Sequence, residues 1–274
     1  MRKISLLTLL FLSIQVLMAQ PEDKKIGKIT FLMVDGKYED AAFKAMKLKD
    51  DSEYRKNAWV YFYLSQSFFE IAGKAELSEK YPKAFKESLK AAAKLTKYKN
   101  KPAENIKVWN EAQEYFSILQ DSSMRTAQIY YDTENYRKAA YYMAKTVKFV
   151  PDDYAVWLMK GIYEIKSRNV GEGVKSILHA MDSLNMSYVP YNVSVETLVE
   201  ALDAYALIIK SGEYDQYFKA YKFNPTEEDV QEALALKEEF KKYLDGEEEN
   251  VEERKKESEI IYKTFRSDDT EDEE

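Results

Sequence analysis

Across 274 residues the chain holds one histidine, His179, and no cysteine. Chemistry that needs a thiolate, a disulfide or a pair of imidazoles therefore has no basis in the sequence. His179 falls late in a helical segment and reads as a packing or surface residue. Carboxylates are abundant, but the runs at 247–250 (EEEN) and 268–274 (DDTEDEE) lack the alternate spacing and turn glycine of a calcium loop. No glycine-rich phosphate loop occurs, and Gly171-Glu172-Gly173 offers no serine for a nucleophile elbow. The residue types point away from an enzyme and from any cofactor or metal, and towards non-covalent binding.

One charged feature could serve binding. Lys83, Lys86, Lys90, Lys94 and Lys97 recur at spacings of 3 and 4, opposite Ala84, Leu89, Ala92 and Leu95. A helix over 80–101 would carry them as one stripe. The stripe is either a solvated face or a seat for an acidic partner, which could be this chain's own C-terminal segment.

The charge is unevenly placed. Residues 245–274 carry 14 acids against 5 bases, and residues 20–244 hold 34 of each sign. Acidity is thus a property of the tail, which reads as a solvated end with a small apolar island at Ile260, Ile261, Tyr262 and Phe265. A neutral body argues against nucleic acid as the partner. At the other end, Arg2 and Lys3 precede an apolar run from Ile4 to Met18, and Ala19 precedes Gln20. That is the layout of a secretory signal peptide over 1–19, too short for a membrane span, so no span is expected after cleavage. The expected location is periplasmic or secreted. The form of the cleavage region, Ala19-Gln20, resembles that of exported proteins of the Bacteroidetes.

The elements that would position a site are helices. Residues 120–153 and 154–187 form two units in register at a period of 34. Ala127 and Gly161 share one position, as do Ala139 with Gly173, Tyr136 with Val170, and Met143 with Ile177; Pro151 closes the first unit. Small residues at the first two positions let antiparallel helices approach closely, and the proline forces the break. This pattern resembles the tetratricopeptide repeat. Lys160, Glu164, Ser123 and Thr146 depart from it, standing where large apolar, aromatic or small residues are usual.

The same grammar recurs more loosely elsewhere. Asp35-Gly36 marks a turn before Tyr38, Ala41 and Ala45. An aromatic helix at 58–71 precedes Tyr81, Ala84 and Ala91, with AELSEK (75–80) as extra sequence between them. A further helix over 102–119 is either an insertion or the start of one long helix running to 132. Residues 194–210 form another, followed by a degenerate unit with Tyr217 and Tyr221 facing inward. Asn224-Pro225-Thr226 caps a last helix over 227–244 carrying Leu234, Leu236 and Phe240. The unit markers Tyr38, Tyr81, Tyr136, Val170 and Tyr214 are separated by 43, 55, 34 and 44 residues, so the array is irregular.

The resemblance implies an all-α, right-handed solenoid of helix–turn–helix units over 20–244. Its inner groove would be lined by Asp121, Met124, Gln128 and Tyr131 from one unit and Ala155, Leu158, Ile162 and Ile165 from the next. Open, this strip would seat a protein or peptide partner of the cell envelope; covered, it would hold another helix of the chain. The expected function is a non-enzymatic binding scaffold. Two alternatives stand beside it: a structural subunit of an envelope secretion or assembly complex, and a glycan or small-ligand binder. A glycan site needs a concave aromatic pocket with polar groups near it, whereas a scaffold needs an open apolar groove. Oligomeric state is not legible.

Overall fold

The computed structural model describes residues 23–185 and 187–244. The expected signal peptide (1–19) and acidic tail (245–274) lie outside the described residues. Among those described, all regular structure is helical and no strand occurs. In chain order the helices are α1 (Lys24–Val34), α2 (Tyr38–Asp50), α3 (Ala58–Ala72), α4 (Ala75–Lys80), α5 (Ala84–Tyr98), α6 (Asn105–Glu111) and α7 (Gln113–Asp132). There follow α8 (Tyr136–Thr146), α9 (Tyr154–Lys166), α10 (Val170–Met181), a 3-10 turn (Asn192–Ser194), α11 (Val195–Ser211), α12 (Asp215–Ala220) and α13 (Glu227–Lys241).

Three hairpins close by the same device. After α1, α7 and α9 the chain places one residue in the left-handed region: Gly36 (φ 69°), Glu134 (φ 62°) and Arg168 (φ 67°). The next amide reaches back five residues, Lys37 to Leu32 O, Asn135 to Tyr130 O and Asn169 to Glu164 O, at 2.8, 2.8 and 2.9 Å. This Schellman arrangement satisfies carbonyls that a helix end leaves unpaired. Gly212 (φ 64°) stands in the left-handed region after α11 as well.

Side-chain size then sets how closely the hairpins pack. A Cβ on Gly161 would meet Gly173 O at 2.8 Å and Ile177 Cγ1 at 2.7 Å; one on Gly173 would meet Gly161 O at 2.8 Å. The two glycines thus face each other where α9 crosses α10. Ala127 and Ala139 are fully buried at the matching places in α7 and α8. The four departures from the repeat pattern pair off with one another. Thr146 Oγ1 donates to Ser123 Oγ at 2.8 Å. Lys160 Nζ meets the Glu164 carboxylate at 2.8 Å, and Ser176 Oγ lies 2.7 Å from each of them. Polar groups sit in the core here because each has a partner beside it.

One hydrophobic core runs from Ala42 to Phe240, and a smaller one gathers Ile26, Ile29, Ala45, Leu48 and Tyr54 at the N-terminal end. Helix α3 lies between α2 and α5, while α9 packs on α8, α10 and α11. From Ala155 to Ile165 every α9 residue except Trp157 is buried. A helix apolar around most of its girth needs such company. Asp153 starts it: its carboxylate accepts from Ala155 N (3.1 Å), Val156 N (3.3 Å) and Gln120 Nε2 (2.6 Å).

Several sequence expectations need revision. The AELSEK insertion folds as α4, a helix of its own. Residues 102–119 divide at buried Ala112; the second part joins α7, giving one helix of 20 residues. In the last part of the chain, Tyr217 and Tyr221 are nearly half exposed and Phe218 is the core residue. Helix α12 is too short to make the expected hairpin, so α11 pairs with α13 instead. Thr226 and Asp229 form a full capping box at the start of α13.

Candidate functional site

Met124, Leu158, Ile162 and Ile165 do not form an open strip. All four are buried, as is Ala155. The neighbours of α9 cover it: α9 packs on α8, α10 and α11, and Ile165 faces Gly173 of α10. Thr197 Oγ1 lies 3.7 Å from Met124 Sδ. Gln128 and Tyr131 are half-buried and are used internally: Gln128 accepts from Tyr163 Oη at 2.6 Å, and the Tyr131 and Tyr163 rings stack at 4.7 Å. Asp121 is bound to Arg125 at 3.1 Å. Glu200 of α11 stands near this seam; burial, then Glu196 and Asp132, raise its pKa.

The expected helix over 80–101 is shorter, Ala84–Tyr98 (α5): Lys80 ends α4, Lys83 stands at the N-cap of α5, and Lys86, Lys90, Lys94 and Lys97 lie on it. Lys83, Lys90, Lys94 and Lys97 are exposed and Lys86 is half-buried. Lys90 pairs with Glu87 at 2.5 Å. Lys145 of α8 adds to the stripe: burial lowers its pKa, and the positive charges of Lys148 and Lys90 lower it further. His179 is an exposed surface residue, with its ring 4.6 Å from Trp157 and 5.7 Å from Tyr154.

The concave site lies elsewhere, between α3 and the start of α7. Helix α3 presents Phe62, Gln66, Phe69 and Glu70, whose spacing of 4, 3 and 1 puts them on one face. Across from them stand Glu111 at the end of α6 and Glu114, Tyr115 and Ile118 on α7. Met33 of α1 and Tyr38 of α2 close one end. The cleft they enclose measures about 430 Å³. Its floor is Tyr115, set nearly perpendicular to Phe62 (5.8 Å) and to Phe69 (6.0 Å). The Tyr115 hydroxyl lies 2.8 Å from Ser65 Oγ and 3.1 Å from Ser88 Oγ, and burial raises its pKa. Ile118 is 48 % exposed on the wall. Tyr38 stands beside Glu70, and its pKa is raised by burial first and by that carboxylate second.

Asn105 fixes the approach of the two walls. Its side-chain oxygen accepts from Ala58 N at 3.0 Å, and its amide donates to Lys56 O (2.7 Å) and Tyr98 O (2.9 Å). The entry to α6 is thereby tied to the start of α3 and the end of α5. Sequence reading placed Phe62 and Phe69 on an aromatic helix but gave no role to Glu70, Glu111 or Glu114. The 3- and 4-residue spacing of Phe62, Gln66 and Phe69 was the available signal; that Glu111 and Glu114 lie opposite was not available from local pattern. Among the described residues, no group of three or more His, Cys, Asp or Glu comes together to hold a metal ion. No described helix is long and apolar enough to cross a membrane.

Compared with protein-family models, with curated proteins and with solved structures, the chain matches none.

Proposed function

We propose that the protein is a non-enzymatic binding scaffold of tetratricopeptide type, exported to the cell envelope, which seats a segment of a partner protein in the cleft between α3 and α7. The observation that carries this reading is the cleft itself: an aromatic floor and an exposed isoleucine between two helix walls. Apolar and aromatic surface of that kind is what anchors a partner segment. The repeat assignment draws support from the Schellman turns at Glu134 and Arg168, spaced at the 34-residue period, and from the facing small residues of α7–α8 and α9–α10.

A second reading, a glycan binder, is favoured by the aromatic rings lying beside Gln66 and three glutamates. Photo-crosslinking in the source cells separates the two. A photoreactive residue placed at Gln66 or Ile118 should yield one dominant protein adduct by mass spectrometry, and the same residue at buried Leu158 should yield none. Carbohydrate adducts from Gln66 would replace the scaffold reading with the second one. Equal protein yields from Leu158 would show that the helices packed on α9 part from it in solution and that the groove implied by the repeat is open.

A further inference from the structure

We propose, resting on the reading of the cleft as a partner-binding site, that its ligand is a cationic side chain, a lysine or arginine borne by the partner segment. Three glutamates, Glu70, Glu111 and Glu114, line the cleft, and among the described residues no basic residue does. Some glutamates elsewhere sit in ion pairs, Glu39 with Lys80 and Glu172 with Lys175 among them, while others such as Glu76 and Glu196 do not; what sets the cleft apart is that three stand together around aromatic and apolar walls. Among the described residues the three cleft glutamates have no lysine or arginine within ion-pair distance. Among the described residues only Lys74, over the Tyr38 ring at the rim, brings a positive charge to the cleft lining, and it forms no ion pair with the three glutamates.

The rings add to that preference. The face of an aromatic ring attracts a cation, and the chain already uses this at the rim, where Lys74 Nζ lies 4.4 Å from the centre of the Tyr38 ring. Phe62 and Phe69 stand further in. Met33 and Ile118 offer apolar surface on which the aliphatic stem of a long basic side chain can lie, as such stems do elsewhere. The carboxylates do not converge as a metal site would require. Spread charge, apolar walls and rings together suit an extended organic cation better than a point ion. A neutral sugar would leave three carboxylates desolvated without a counter-charge.

The test uses the full chain with labelled Met33 and Ile118 methyl groups, followed by NMR. The probe is a synthetic peptide of serine, alanine and tyrosine around one central arginine. Matched peptides carry citrulline or glutamate at the centre, and a neutral oligosaccharide serves as a fourth probe. The arginine peptide should shift both methyls in a saturable way. Citrulline, which keeps the shape and loses the charge, should bind at least about fivefold more weakly. Binding should weaken with added salt. The double variant Glu111→Gln with Glu114→Gln, isosteric and on exposed positions, should lose the preference for arginine over citrulline while keeping its methyl spectrum. Equal binding of the arginine and citrulline peptides would overturn the cationic class and leave the scaffold reading standing. Shifts from the oligosaccharide alone would overturn both. No shift from any probe at millimolar concentration would overturn the inference while leaving the crosslinking result to judge the scaffold reading.

Discussion

The pair Lys160–Glu164 gives the sharpest test of how α9 is packed. Both side chains are about a tenth exposed, at 2.8 Å, and Ser176 Oγ completes the cluster at 2.7 Å from each. Breaking one side of a buried pair costs about 3–5 kcal/mol, because the remaining charge keeps its desolvation penalty without its partner. Glu164→Gln preserves shape and removes the charge, so it should destabilise by about 3 kcal/mol, softened by the oxygen that Gln retains. Lys160→Met alone strands the carboxylate beside Ser176 and should cost a similar amount. The double variant Lys160→Met with Glu164→Leu removes both charges and conserves volume. Ser176 then keeps its bond to Glu172 O at 2.9 Å, so no polar atom is orphaned. The double variant should lie within about 1 kcal/mol of the parent, or above it. Urea unfolding followed by circular dichroism gives the stabilities, and the single variant Glu164→Leu closes the cycle with Lys160→Met and the double variant to yield a coupling energy. A cost below about 1 kcal/mol for Glu164→Gln, the range of a surface ion pair, would mean that the pair is wet and that α9 is not enclosed by α10 and α11 as described.

Three further outcomes are expected. Gly161→Ala should destabilise by about 1–3 kcal/mol in the same assay, because the added methyl meets Gly173 O at 2.8 Å, a backbone atom that can yield only by spreading α9 from α10. Arg168→Gly should raise the thermal midpoint, because glycine removes a side chain from a left-handed residue at a cost in unfolded-state freedom of only about 1 kcal/mol or less. Glu200 has a raised pKa in the folded state, so folding favours its protonated form, and its contribution to stability is lost as pH rises from the ordinary glutamate range through the raised value. Glu200→Gln should therefore gain midpoint over the parent as pH increases from about 4 to 7, with no gain at the acid end; a gain constant with pH would show that the residue is solvated.

Local grammar was legible wherever one helix met its sequence neighbour. The facing of Gly161 and Gly173, the Asp35-Gly36 turn, the extra character of AELSEK and the cap at Thr226 all depend on residues close along the chain. Long-range placement was not legible. Leu158, Ile162 and Ile165 have the periodicity of an exposed strip and of a covered one alike, and only the packing of α8, α10 and α11 around α9 decides between them. Phe218 takes the core place expected of Tyr217 and Tyr221: it is buried within α12, and both tyrosines are nearly half exposed. Glu134 and Arg168 in left-handed turns carry no local signal, since the usual marker is glycine. The cleft draws on five helices spread from Met33 to Ile118, and no window of sequence contains them together.

The hydroxyl of Tyr115 has a consequence for association. It meets Ser65 and Ser88, and Ser65 Oγ also donates to Ser88 O at 2.9 Å, so the ring is pinned where α3 and α5 touch. A floor already fixed before an encounter has little freedom left to surrender. The entropic cost of complex formation then falls on the guest, and a stiff guest, such as a short helix or a proline-bounded turn, would hold longer than a slack one of the same composition.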